Sequence, residues 1–181
     1  MTLLSEKYQD EIQAILTKYP QSRSAVLPLM YLAQEAYGFM SKEAIRDVAS
    51  VLELDPTEVL SLAGFYTLYY EEPVGKYVLE ICTDLPCALR GAEEFTDMAC
   101  QKLGIKVGET TEDGMFTVKT VMCLAACDKA PMLQANLKYE ENLDEAKFDA
   151  LISRLRQEAA EGQGNYYGVE AYKRSLKQEQ K

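Results

Sequence analysis

Four of the five cysteines in this chain of 181 residues come as two pairs. In Cys82-Thr-Asp-Leu-Pro-Cys87 four residues separate the thiols, and in Cys123-Leu-Ala-Ala-Cys127 three do. Thiolates are soft anionic ligands that select zinc, cuprous copper or iron–sulfur clusters. Two pairs carried by two loops can surround one tetrahedral ion or one binuclear centre. A structural zinc is compatible with the spacing, since cysteine pairs in such sites are about two to four residues apart. A thioredoxin-type dithiol is not, because no Cys-x-x-Cys occurs. The plant-type ferredoxin pattern also fails, since it needs three cysteines close together in one loop. The chain contains no histidine. That excludes Ser-His-Asp and Cys-His catalysis, His-ligated zinc or haem, and Rieske-type ligation.

The elements around the pairs predict how they meet. Tyr77 to Cys82 reads as a strand, the first cysteine loop follows, and Ala88 to Leu103 reads as a helix ended by Gly104. Met115 to Val121 alternates as a second strand and runs directly into Cys123. Both pairs therefore follow strands, and in open α/β sheets the carboxyl ends of strands are the usual place for a ligand. Met132 to Asn136 and Leu137 to Glu141 form a predicted hairpin, and Asn142 is placed to cap a last helix through Arg156. The order β-α-β-β-β-α predicts a small α/β domain with helices on a mixed sheet. Small residues near the thiols, Ala88, Gly91, Ala125 and Ala126, leave room for main-chain N–H groups to reach sulfur.

Ahead of this lies a different period. Residues 3–18 place Leu4, Tyr8, Ile12, Ile15 and Leu16 on one helical face. A second helix begins near Ser24 to Pro28 and is closed by Gly38. Ser41 caps a third, and Asp55-Pro56-Thr57-Glu58 opens a fourth that continues through Tyr66 and Tyr70. The fourth is apolar on more than one side, which predicts burial on several faces. The class is α+β: a helical bundle over 1–72, the cysteine-bearing α/β domain over 73–160 and a polar tail over 161–181.

Composition narrows the rest. The net charge of −10, from 29 acids and 19 bases spread along the chain, makes nucleic acid and anionic lipid poor partners. No apolar run reaches the length that spans a bilayer. The first twenty residues carry acids from Glu6 onward and no small-residue cleavage site, so they read as neither secretory signal nor transit peptide. A cytosolic setting is expected, where paired cysteines bind metal more often than they form structural disulfides. Cys100, mid-helix, reads as a buried structural thiol.

One resemblance gathers these features. Gly64-Phe-Tyr66, Pro73-Val-Gly75-Lys-Tyr77, Cys82 with Cys87 and Gly91, and Cys123-Leu-Ala-Ala-Cys127 followed by Ala130-Pro131 resemble the thioredoxin-like 2Fe-2S subunit of respiratory complex I. The resemblance spans about residues 3–156. It implies a thioredoxin-like domain holding one 2Fe-2S cluster on Cys82, Cys87, Cys123 and Cys127. It also implies a partner flavoprotein subunit that carries FMN and oxidises NADH, neighbouring iron–sulfur subunits, and a place on the inner face of the cell membrane as part of the complex. No Gly-rich dinucleotide fingerprint or P-loop is present here, consistent with NADH and flavin lying on that partner. Related subunits serve NAD-linked hydrogenases and formate dehydrogenases. Two departures stand out: the family's second loop usually reads Glu-Cys-Leu-Gly-x-Cys, whereas Met122 and Ala125 occupy the Glu and Gly positions here.

Overall fold

The computed structural model describes residues 2–162, and the remainder of the expected tail lies outside them. The described residues form two compact units that part between Pro73 and Val74.

The first unit is helical: α1 (Leu3–Leu16), α2 (Val26–Tyr37), α3 (Lys42–Leu52) and α4 (Pro56–Phe65). The caps follow the sequence. Ser41 Oγ accepts from the Ala44 N–H at 3.1 Å, Asp55 Oδ1 from the Thr57 N–H at 2.8 Å, and Gly38 closes α2. Leu4, Ile15, Leu29, Leu32, Val48 and Val59 fill one core.

The fourth helix departs from expectation. It ends at Phe65 and buries only Val59 and Ala63, leaving Leu60 46% and Phe65 76% exposed. Tyr66 turns extended, and Tyr70 is buried outside the helix. The reason is Gln34, fully buried on α2. Its Nε2 donates to the Leu68 carbonyl at 2.9 Å, and its Oε1 accepts from the Tyr70 N–H at 2.7 Å. These bonds hold the main chain after Tyr66 in a path that a continuing helix could not share.

The second unit is a four-stranded mixed sheet in the order β2-β1-β3-β4, with β1 (Tyr77–Cys82), β2 (Phe116–Val121), β3 (Leu133–Ala135) and β4 (Lys138–Glu140). Strands β1 and β2 are parallel and the other pairs antiparallel. Together with the helical unit this is the expected α+β class. Helices α6 (Ala92–Leu103) and α7 (Glu145–Ala160) pack Phe95, Ala99, Phe148, Leu151 and Leu155 onto Tyr77, Leu79, Ile81, Phe116 and Val118.

Two boundaries here differ from the sequence reading. The helix predicted from Ala88 is two pieces, a single turn α5 (Leu85–Ala88) and then α6, because Gly91 between them takes φ +85°, which no helical residue adopts. The last helix is capped by Asp144 rather than Asn142: Asp144 Oδ1 accepts from the Lys147 N–H at 2.8 Å, while Asn142 sits at φ +51°. It also runs past Arg156 to Ala160, whose neighbour Ala159 packs on the core and accepts from Lys76 Nζ at 3.2 Å. Among the described residues no helix is long and apolar enough to cross a membrane.

Candidate metal centre

Parallel pairing brings the two loops to one edge. Cys82 ends β1 in register with Val121, which ends β2, so both chains leave the sheet in the same direction with Cys123 two residues further on. The Thr83 N–H extends the ladder by donating to the Val121 carbonyl at 3.0 Å, and the Cys82 N–H donates across to the Met132 carbonyl at 3.2 Å. The register is guarded upstream by Gly75, where a Cβ would stand 2.8 Å from the Phe116 main chain.

The first loop is packed. Asp84 accepts through its carbonyl from the N–H groups of Cys87 and Ala88, each at 2.9 Å, which winds residues 85–88 into α5 with Pro86 in its first turn. This turn carries Cys87 inward, and Cys82 and Cys87 are 2% and 1% exposed beneath Ala92, Ala130 and Met132. Their sulfurs are 3.2 Å apart.

The second loop is only partly packed: Leu124 and Ala126 rest half-buried on the cluster around Cys82 and Cys87, and hydrogen bonds tether the rest. Cys123 and Cys127 are exposed. Ala125 takes the left-handed φ of +57°, and its N–H donates to Cys123 Sγ at 3.4 Å. One of the small residues expected to bring a main-chain donor to sulfur therefore does so. Tyr139 Oη donates to the Leu124 carbonyl at 2.8 Å, the Asn142 N–H to the Lys129 carbonyl at 2.8 Å, and the Leu143 N–H to the Pro131 carbonyl at 2.8 Å. The sequence reading overlooked Tyr139, Met132 and Ala92. Of these only Tyr139 left a signal, as the aromatic residue of the predicted hairpin, and what it bonds depends on tertiary placement.

The four thiols feel one another. Cys87 is raised first by burial, then by its contact with Cys82 and by the charges of Cys82, Cys127 and Cys123. Cys127 is raised by loss of water at its sulfur, then by the charges of Cys123, Cys82 and Asp84 and by a hydrogen bond with Cys123. Four thiols thus crowd one edge, and a bound cation would take them as thiolates. The donor set fits an iron–sulfur group: four soft ligands, no imidazole, and a main-chain N–H already on one sulfur. The Cys82 and Cys87 sulfurs are in contact, and Cys123 and Cys127 lie near enough to that pair to raise Cys87 through their charge. Among the described residues no three Cys, Asp or Glu side chains converge on a single ion position. Cys100 stands apart, half-buried against the second core. Glu93, Glu94 and Asp97 on α6 are exposed.

Comparison with known proteins agrees with this architecture. The chain is 40% identical over 148 residues to a subunit of NADH-quinone oxidoreductase from Rhizobium meliloti (strain 1021), a match covering 82% of this chain and 88% of the relative. It is 40% identical over 151 residues to "NADH-quinone oxidoreductase subunit 2" of Thermus thermophilus, covering 82% and 83%. For the corresponding NADH-quinone oxidoreductase subunit of Rickettsia prowazekii the identity is 42%, over 81% of this chain and 84% of the relative. Among solved structures, the NAD+-reducing NiFe-hydrogenase in its air-oxidized state superposes with a TM-score of 0.62 at 23% identity. That match covers 72% of this chain and only 23% of the hydrogenase chain, and it speaks for the fold alone. The sequence profile of the thioredoxin-like 2Fe-2S ferredoxins matches residues 12–156. This chain belongs to the thioredoxin-like 2Fe-2S ferredoxin family, as a homologue of the NADH-quinone oxidoreductase subunits of that family.

Proposed function

We propose that this chain is an electron-transfer subunit of NADH:quinone oxidoreductase, in which Cys82, Cys87, Cys123 and Cys127 hold one 2Fe-2S cluster that exchanges single electrons with FMN on a partner NADH-oxidising flavoprotein. The observation that carries the reading is the pairing of the thiols at the carboxyl ends of two adjacent parallel strands. Two cysteine pairs, one on each loop, would supply two ligands to each of two irons, whereas one zinc ion would need all four sulfurs on one tetrahedron. When bound, the cluster supplies a one-electron carrier. The chain's own residues set its surroundings. Ala92, Ala130 and Met132 keep water from the Cys82/Cys87 side, and the Ala125 N–H stabilises negative charge on Cys123.

The chain works in three parts: a helical domain over 1–72 that binds the partner, the cluster-holding domain over 73–160, and the tail 161–181. In the assembled complex it lies on the cytoplasmic face of the cell membrane, beside the flavoprotein and the neighbouring iron–sulfur subunits.

Anaerobic purification tests the cofactor. The protein should be red-brown, contain iron and sulfide, and give a rhombic EPR signal on reduction. Colourless protein with stoichiometric zinc, from cells supplied with iron and sulfide, refutes it. Affinity purification from the native host tests the assembly: quinone-reductase subunits should accompany the chain, and hydrogenase or formate dehydrogenase subunits in their place would redirect it. Removal of residues 1–70 should abolish recovery of the flavoprotein.

A further inference from the structure

We propose that Tyr139 is a positioning residue for the cluster: by donating to the Leu124 carbonyl it holds the 124–125 peptide with its N–H toward Cys123 Sγ, and so raises the reduction potential. The proposal rests on the reading of Cys123 as a cluster ligand. Its basis is that two hydrogen bonds belong to one peptide group. The Leu124 carbonyl accepts from Tyr139 Oη at 2.8 Å, and the Ala125 N–H of the same peptide plane donates to Cys123 Sγ at 3.4 Å. In a trans peptide the C=O and N–H point in opposite directions, so whatever fixes one end aims the other.

That orientation needs holding. Ala125 takes φ +57°, a strained conformation for a residue with a Cβ. Turning the 124–125 peptide over would carry this φ to roughly −120°, which any residue adopts. The flipped peptide would aim its carbonyl at the sulfur and its N–H away. The Leu124 side chain, half-buried on the cluster around Cys82 and Cys87, anchors its own Cα but leaves the peptide plane beyond it able to turn. Tyr139 grips that plane, and the sheet aims Tyr139. It pairs with Gln134, which pairs with Glu80 on the strand that ends in Cys82. Next to it, Glu140 accepts from Arg154 on α7 at 2.6 Å. At the hairpin turn, the side-chain amide of Asn136 donates to the Lys76 carbonyl at 2.9 Å and accepts from the Val78 N–H at 2.8 Å. The hydroxyl is thus presented from a frame fixed independently of the loop it holds.

An N–H on a ligating sulfur stabilises negative charge there, and a reduced cluster carries one more electron than an oxidised one. The bond therefore favours the reduced form. Tyr139 adds to this by polarising the peptide, since a carbonyl that accepts a hydrogen bond makes the N–H of its own plane a better donor. Tyr139 is 46% exposed, so loss of its hydroxyl should leave the fold intact.

The test is a potentiometric EPR titration of the full chain with its cluster, dithionite supplying the electron. At the parent's midpoint, Tyr139→Phe should show a ratio of reduced to oxidised cluster about three- to tenfold lower, a downward shift of about 28 to 59 mV for a one-electron carrier. The urea midpoint of the cluster-free chain should not move. In an Ala125→Gly background, where the left-handed φ carries no strain, the same tyrosine change should shift the ratio less. An unchanged or raised potential, an equal shift beside glycine, or a urea midpoint that falls along with the potential overturns the proposal. If the parent binds no 2Fe-2S cluster, the ligand assignment falls, and the three-bond HN–Hα coupling of Ala125 in the cluster-free chain judges the tyrosine separately. Tyr139→Phe should then turn a left-handed coupling into an extended one, and equal couplings overturn its hold on the peptide.

Discussion

The two cysteine loops do the same work by different physical means. The first is part of the fold: a one-turn helix carries Cys87 under Ala92 and Met132, and the apolar environment holds both thiols. The second is only partly so: Leu124 and Ala126 rest on that cluster, but Cys123 and Cys127 stay exposed on a turn tethered by hydrogen bonds from Tyr139, Asn142 and Leu143 and bent by a left-handed Ala125. A ligand pair can thus be preorganised by packing or by main-chain tethering. Packing makes the thiols inaccessible and their loss costly to the fold, while tethering leaves them reachable and nearly independent of it.

The sharpest break of this comparison comes from one serine in each loop. Cys87→Ser and Cys127→Ser should both abolish a stable cluster, read as iron and sulfide content. Only Cys87→Ser should also weaken the cluster-free fold, by about 1–3 kcal/mol in urea unfolding, because it buries a hydroxyl with a stronger demand for a partner. The exposed Cys127→Ser should stay within about 0.5 kcal/mol of the parent. Equal losses in both would show that the loops are not held differently.

Next in size is Gly75→Ala. Its Cβ has to displace the Phe116 main chain from 2.8 Å, and the Gly75 N–H bond to Thr117 Oγ1 at 2.6 Å is strained with it. We expect about 1–3 kcal/mol of destabilisation, together with poorer cluster retention because β2 aims the second loop. Unchanged thermal unfolding would mean that the approach of Gly75 to β2 is dispensable.

Ala125→Gly sharpens the comparison in the opposite direction. A left-handed alanine costs about 1–2 kcal/mol, and glycine returns part of that gain as unfolded-state entropy. The net expectation is about 0.5 kcal/mol of added stability and slower cluster loss to a chelator. Faster loss would place the strain elsewhere.

The smallest effect belongs to pH and lies away from the site. Hydrogen bonds from the Thr111 hydroxyl and the Met115 N–H, with Arg156 alongside, lower Asp113 from 3.8 to about 2. A carboxylate with a depressed native pKa adds stability that is fully present above its unfolded value and lost as pH falls through the native one. Asp113→Asn should therefore flatten the stability curve between about pH 4 and 2. At neutral pH it should cost well under 1 kcal/mol, since Asp113 is 42% exposed and its pairing is screened. An unchanged acid limb would assign that limb to other carboxylates.

Local signals made much of the fold legible. Ser41 and Asp55 announced their helices because a cap is a matter of three or four neighbouring residues. Strand β2 was visible in its alternation, and β1 and the hairpin read as short strands. Apart from the break at Gly91, the misplaced boundaries involve a choice between local options that distant contacts settle. Asn142 and Asp144 are both credible caps, and the path through Lys129 and Pro131 gives the role to Asp144. The fourth helix had every local reason to continue, but buried Gln34 claimed the main chain at Leu68 and Tyr70. A polar residue buried to bind a distant backbone carries no pattern along the chain.

The metal chemistry divides the same way. Residue types and spacing along the chain determined that soft thiolate ligation was available and that imidazole chemistry was not, because those are properties of composition and covalent distance. Only the tertiary structure decided that Cys82 and Cys87 meet in a buried pair while Cys123 and Cys127 stay exposed, and that Tyr139 and Met132 take part in holding the loops. Burial and cross-strand contact arise between residues tens of positions apart, and no local preference encodes them.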